Sequence, residues 1–357
     1  MSSVEAVRSK LKLRNCSMVG NDPPEVPLPL DVGDFTLYAC IGQAFNRTAS
    51  VYLAKRNGTQ KPCAIRVYQL ENGNSSFCLL RKEVATLRSL KHPNILSLED
   101  VIVKGTRLLI VNPLMDYGSV RDLLLYRFNL GMVEQHIAVI LYDVLKVIHA
   151  GWNNFSRTIR GSHILLSSSG YACLSGFRLA ASFVNESQRL RSLHDFDSNF
   201  KTSLLWLAPE VLQQFPAGYD LKSDIYSVGI TACEMANGFP PFADMTSLQM
   251  FMEKLRGVTP RLLDGKTLAS DEGAENIETS LNEQRNRWFS DKFHSVVDIC
   301  LRFVPSESRP TASELLKHSF FKQCKKERRS AASFLHDVKP LFIKDGALAT
   351  MGLYQQG

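Results

Sequence analysis

The chain has 357 residues with 42 basic and 35 acidic side chains, a net charge of +7, and 45% hydrophobic against 22% charged content. That length exceeds one small domain and suits a two-lobed unit of about 250–300 residues with short tails. No apolar run reaches the length of a membrane span, and the charge is too mild and scattered for a dedicated nucleic-acid binder.

Residues 1–33 read as a flexible N-terminal arm: they are polar, lack the apolar stretch of a secretory signal, and end in the proline-rich NDPPEVPLPL. From Phe35 the pattern turns to strands, FTLYACIG, SVYLAKR and PCAIRVYQL, with Asn57-Gly58 marking a turn between the second and third. FCLLRKEVATLRSL, Phe77 to Leu90, has helical apolar spacing, and RLLIVNPLM, Arg107 to Met115, is a further strand. IAVILYDVLKVI, Ile137 to Ile148, predicts a buried helix, and the chain stays mostly helical to Phe321. These elements predict an α+β fold: a small β-rich lobe over 34–115, a larger helical lobe over 116–321, and a tail over 322–357. Within the larger lobe, 265–287 is polar and acid-rich and reads as a surface loop. The eight cysteines are scattered without a CxxC pair and read as buried free thiols in a reducing, cytoplasmic setting. The basic run KQCKKERR, Lys322 to Arg329, reads as a solvated helix end, with nuclear import or a partner contact as the alternatives.

Several fragments follow the order of the protein-kinase motifs. CAIR ends in Arg66, at the place of the phosphate-binding lysine of V-A-I-K, and Glu83 lies seventeen residues later in the predicted helix as its ion-pair partner. FSRTIRGSHILL, Phe155 to Leu166, has the spacing of the catalytic loop H-R-D-L-x-x-x-N, and LSGF, Leu174 to Phe177, stands where D-F-G is expected. An A-P-E triplet is intact at Ala208, Pro209 and Glu210, with Trp206 beside it expected in the core. Asp224 is expected buried near the catalytic-loop backbone, and Arg309 is placed to pair with Glu210. So many motifs in order predict the bilobal protein-kinase fold.

The chemistry is missing from that frame. Ser156, Thr158, Arg160, His163 and Ser175 are the degenerate positions. Thr158 replaces the catalytic aspartate, and loss of a general base alone costs roughly 10²–10⁴ in rate. His163 replaces the metal-binding asparagine and Ser175 is assigned to the metal-binding aspartate. Magnesium wants carboxylate oxygen, so no metal site and no kinase activity are expected. The nucleotide pocket is damaged less. Gly42 remains, Ala44 replaces the second glycine, and Arg66 keeps a positive charge. The hinge falls at Asn112 to Met115, where Pro113 offers a carbonyl and Met115 an N–H. Gly42, Ala44, Val51, Ala64, Arg66, Glu83, Pro113 and Met115 are the expected cofactor-binding set, for ATP without a required magnesium.

GSHILLSSSG, CLSGF, QRLRSLHDF, WLAPEVLQQ and GYDLKSDIYSVGITACEMANG together resemble one pseudokinase family, the sterile-20-related adaptors. The resemblance implies an inactive kinase domain that binds and activates a serine/threonine kinase of the liver kinase B type, together with a helical-repeat scaffold of the Mo25 kind. The alternatives are a pseudokinase scaffold or decoy with other partners, or a weakly active kinase. ATP in related adaptors holds a closed lobe arrangement, which the resemblance extends to this chain. Gln188, Arg189, Arg191, His194, Asp195 and Phe196, in the activation-loop segment, are the expected partner contacts. Family members typically end in Trp-Glu-Phe, which docks into the scaffold. This chain ends in GLYQQG, so the resemblance does not carry tail docking over.

Overall fold

The computed structural model describes residues 33–44, 48–59, 61–70, 74–150, 154–155, 159–185, 188–194, 203–268, 284–303, 306–326, 335 and 338–342. Strands β1 (Phe35–Ala44), β2 (Ala49–Arg56), β3 (Pro62–Gln69), β4 (Asp100–Lys104) and β5 (Arg107–Pro113) form one antiparallel sheet in the order β1-β2-β3-β5-β4. Helix α1 (Asn74–Ser89) crosses over between β3 and β4. Strand alternation decides which side chains meet the helix. Cys63, Ile65 and Val67 of β3 join Phe35, Tyr52, Leu109 and Val111 in one cluster, whereas Tyr68 joins Ala49, Leu108, Ile110 and Leu80 of α1 on the other face. Strand β4 was not expected. It is an edge strand of only five residues, DVIVK, none of them fully buried, and Val103 is exposed.

The second lobe contains α2 (Val120–Tyr126), α3 (Glu134–His149), α4 (Pro209–Leu212), α5 (Lys222–Asn237), α6 (Ser247–Leu255), α7 (Gly265–Leu268), α8 (Asp291–Cys300), α9 (Ala312–Leu315) and α10 (Lys322–Lys326). Short strands β6 (Asn154–Phe155), β7 (Ile164–Leu166), β8 (Ala172–Leu174), β9 (Ala181–Ser182), β10 (Val184–Asn185) and β11 (Gln188–Arg189) pair as β7-β8, β6-β9 and β10-β11. Every residue of α5 from Ser223 to Asn237 is buried, which fits its lack of a polar face. It packs against α3 and α8, and a Cβ on Gly229 would lie 2.7 Å from Leu301 Cδ2, so only glycine admits that approach. Among the described residues no helix is long and apolar enough to cross a membrane.

Two expectations need correction. The ends of the 265–287 segment are not surface loop. Gly265 and Leu268 are buried, and the Gln284 amide donates to Asn237 O at 3.3 Å. Arg287 donates from Nη1 to Leu130 O at 2.6 Å and from Nε to Leu263 O at 2.9 Å. Polar side chains here are consumed by distant backbone carbonyls, and only 269–283 lies outside the described residues. The cysteines are also less uniform than expected. Cys63, Cys233, Cys300 and Cys324 are buried free thiols, but Cys78 is exposed and Cys40 and Cys173 are half-buried.

Candidate functional site

The cleft between the lobes is built from the row Gly42–Val51–Arg66, which the sheet register sets side by side on β1, β2 and β3. Arg66 Nη1 meets Glu83 Oε1 at 2.8 Å, and the Glu83 side chain is fully buried. Arg66 also donates from Nη1 to the Tyr68 hydroxyl at 3.3 Å and from Nε to Asn112 Oδ1 at 3.2 Å. The Asn112 amide in turn donates to Ser97 O at 2.7 Å. A β3 residue is thus tied to α1 and to the end of β5, where the hinge begins. That strand-to-helix ion pair is the contact an assembled kinase cleft requires. Arg66 Nη2 is left without a partner among the described residues. Ala64 and Pro113 lie on neighbouring strands, Ala64 paired with Asn112 and Pro113 with Cys63. Beyond them the Met115 amide has no acceptor among the described residues. No neighbour lies within 4 Å of a Cβ built on Gly42, and Ala44 pairs with Ala49 at the end of the hairpin.

On the opposite wall, the expected register shifts by one residue. Ser175 does not face the cleft as a metal ligand would. Its N–H and its hydroxyl both donate to His163 O, at 2.8 and 3.0 Å. The next residue, Gly176, is left-handed at φ 79°, and Phe177 is buried in the main core. With Phe177 as the aromatic anchor of D-F-G, Gly176 takes the place of the metal-binding aspartate and Arg178 that of the final glycine. The carboxylate is therefore missing altogether. A Cβ on Gly176 would lie 2.5 Å from His163 Nδ1, so the imidazole fills the space an aspartate side chain would enter. Arg160 holds the ring by donating from Nε to His163 Nε2 at 3.2 Å. That bond makes Nε2 an acceptor and places any ring proton on Nδ1. Among the described residues no group of three His, Cys, Asp or Glu side chains could hold a metal ion. The donor set does not fit magnesium. Ser156 and Thr158 lie outside the described residues.

Arg178 was missed at the sequence level. It is buried in the turn that packs against α1, and its charge acts on the Tyr68 hydroxyl. Burial pushes the Tyr68 pKa up, and the Arg66 and Arg178 cations oppose that rise. The Tyr68 hydroxyl therefore feels two cations, Arg66 through a hydrogen bond and Arg178, at the place of the D-F-G glycine, through its charge. These residues fit an anionic ligand better than a cation.

Below the cleft, buried polar groups fix the loop. Glu234 Oε2 accepts Gly161 N–H and Trp206 Nε1–H, both at 2.9 Å, and Arg160 stacks 5.6 Å from the Trp206 ring centroid. Trp206 is buried, as is Ile164, while Leu165 is half-buried. Burial brings the Arg160 pKa down to about 10, with Glu234 opposing the fall. Asp224 is 2% exposed at the start of α5. Arg309 grips Glu210 with two nitrogens at 2.6 and 2.9 Å, and Ser223 Oγ adds a third bond at 2.6 Å. Lys254 of α6 was also missed. Its ammonium is buried and donates to Leu205 O and Leu207 O, each at 2.7 Å. Burial lowers its pKa well below the usual lysine value. It pins the segment leading into A-P-E from beneath.

The expected partner residues fall on an anchored segment. Gln188 and Arg189 form β11 against β10, and Leu193 exchanges backbone hydrogen bonds with Tyr219 at 2.9 and 3.0 Å. Gln188, Arg191 and His194 are exposed around that anchor, and Asp195 and Phe196 lie outside the described residues.

A protein kinase domain family model matches residues 40–321. The chain is 38% identical over 343 residues to STE20-related kinase adapter protein alpha of Homo sapiens, covering 88% of this chain and 79% of that protein. It is 38% identical over 342 residues to the Bos taurus alpha protein, covering 88% and 91%. It is 37% identical over 347 residues to the Homo sapiens beta protein, covering 90% and 82%. Fold and site define a protein-kinase domain whose strand-to-helix ion pair is kept and whose metal position is altered. The chain belongs to the protein kinase family and, within it, to the STE20-related kinase adapter proteins.

Proposed function

We propose that this chain is a catalytically inactive adapter that binds and allosterically activates a serine/threonine kinase of the liver kinase B type, in a complex with a helical-repeat scaffold of the Mo25 kind. The observation that carries the reading is the pairing of an intact Arg66–Glu83 bridge with Gly176 and His163 at the metal positions. The contacts that give a kinase its closed shape are kept, and those that would hold magnesium are lost. A partner's equilibrium shifts only through contacts that differ between its states. A preorganised surface around Gln188, Arg191 and His194 supplies such contacts. Eight scattered cysteines without a CxxC pair support a reducing, cytoplasmic setting.

The test is peptide phosphorylation by a purified liver-kinase-B-type kinase, with and without this chain and the scaffold, beside this chain alone. Stimulation only in the mixture is expected. Phosphate transfer by the chain alone would overturn the adapter reading, and silence in every arm would transfer it to other partners.

The same reading includes ATP without magnesium. Arg66 Nη2 and Arg178 would meet the phosphates and the Met115 amide the adenine. The bound nucleotide supplies negative charge that bridges the lobes. ATP with a chelator present should raise the melting temperature, because about 100-fold saturation stabilises by roughly 2.7 kcal/mol. In Arg66→Ala, measured against its own ligand-free melting point, that rise should shrink markedly. An unchanged rise would remove Arg66 from the phosphate site.

A further inference from the structure

The family match ends at residue 321, but the folded chain does not. Leu335 and residues 338–342 return to the lobe connector. Phe342 N–H donates to Asp116 O at 2.9 Å, and the Tyr117 hydroxyl donates to Leu335 O at 3.0 Å. Leu335 and Leu341 are 1% and 4% exposed, and Val338 and Phe342 pack on the same core. Gly118, left-handed at φ 69°, makes room: a Cβ there would lie 3.1 Å from Leu341 Cδ1 and 3.4 Å from the Phe342 ring.

The other side of the connector is held by the strand that follows the catalytic loop. Tyr117 N–H donates to Leu166 O at 3.2 Å and Leu166 N–H to Gly118 O at 3.0 Å. Asp116, 1% exposed, turns its carboxylate back to accept Ser168 N–H at 2.8 Å. The connector is therefore the middle layer of three, between β7 and the returning chain. β7 begins one residue after His163, so the same stack reaches the altered metal position.

We propose that Leu335 and residues 338–342 form a hinge strap. The strap fixes the connector and, through β7, the catalytic-loop end, so that loosening the strap loosens both. It is an integral part of the fold rather than a tail. This inference stands apart from the choice of kinase partner and from nucleotide binding.

Hydrogen exchange on the full chain tests it without ligand. In the parent, peptides covering 112–120 and 164–170 should exchange slowly. Leu341→Asp places a charge where a leucine is buried and should speed exchange in both peptides by about tenfold or more. Peptides from α5 should stay unchanged. Tyr117→Phe removes one strap bond and should speed the same peptides by roughly three- to tenfold. Lys339→Ala, at an exposed position, should change neither. Faster exchange at 338–342 with parental exchange at the connector would overturn the strap. If Leu341→Asp loosens every peptide alike, Tyr117→Phe decides, and parental connector exchange in that variant overturns the proposal.

Discussion

Arg309→Met should lower the unfolding free energy by about 3–5 kcal/mol, the usual cost of stranding a buried charge. Arg309 is 1% exposed, and its guanidinium spans Glu210 with bonds of 2.6 and 2.9 Å. It also donates to Arg302 O at 2.7 Å and Phe303 O at 3.2 Å, and stacks 5.0 Å from the Tyr226 ring centroid. Methionine fills part of the volume but leaves Glu210 with Ser223 Oγ as its remaining donor among the described residues. For a domain of this size the melting temperature should fall on the order of 10 °C. Glu210→Leu in the same chain should recover part of the loss, because no lone carboxylate then remains buried. Paired denaturation curves followed by circular dichroism measure both. A loss below about 0.5 kcal/mol in the single variant, typical of a surface change, would show the bridge to be dispensable. The prediction matters for function because Glu210 lies in the first turn of α4, just after the segment that Lys254 supports.

Residue identity announced some of this site and hid the rest. Glu210 and Arg309 stand 99 positions apart, yet A-P-E and the triplet Ser308, Arg309 and Pro310 near the end of the larger lobe are recognisable alone, so their meeting was readable. Arg66 and Glu83 were readable because the strand and the helix each carry strong periodicity. The register at LSGF was not. Serine and glycine are both small, and either suits the place of a lost aspartate. The decision comes from three dimensions: the Ser175 hydroxyl turned back to His163 O, the left-handed Gly176, and the buried Phe177. Aligning on the phenylalanine would have found it, and would also have flagged Arg178 where D-F-G has glycine. Lys254 escaped for a different reason. A lysine on an amphipathic helix normally faces water, and only the folded loop above α6 supplies its three carbonyl acceptors. Gln284, Arg287 and the strap residues share that cause, since backbone carbonyls far along the chain leave no sequence signal.

The register set by Phe177 carries a prediction of its own. Gly176→Asp should destabilise the chain by about 1–3 kcal/mol, the range for overpacking a filled site. Aspartate tolerates left-handed backbone better than most residues, so the cost should come mainly from His163, whose ring Nδ1 lies 2.5 Å from the new Cβ position. The ring cannot swing away freely, because Arg160 donates to its far nitrogen at 3.2 Å. His163→Asn shortens that side chain and should restore stability. In a double-mutant cycle the two changes should therefore couple favourably by about 1 kcal/mol or more. Ser175→Asp should show no such coupling, since position 175 points at a carbonyl rather than at the ring. Additive effects of Gly176→Asp and His163→Asn would return the metal position to Ser175. Adding Thr158→Asp to the coupled pair restores all three carboxylate and amide roles, yet magnesium-dependent phosphate transfer should stay at background. Arg178 still stands where D-F-G has glycine, and the hairpin retains Gly42 but carries Ala44 where the second glycine would be. With the second and third glycines both gone from Ile41 to Tyr52, fewer backbone amides approach the phosphates closely. Robust transfer by that triple variant would mean that the loss of activity resides in three side chains alone and that the rest of the cleft is still a kinase.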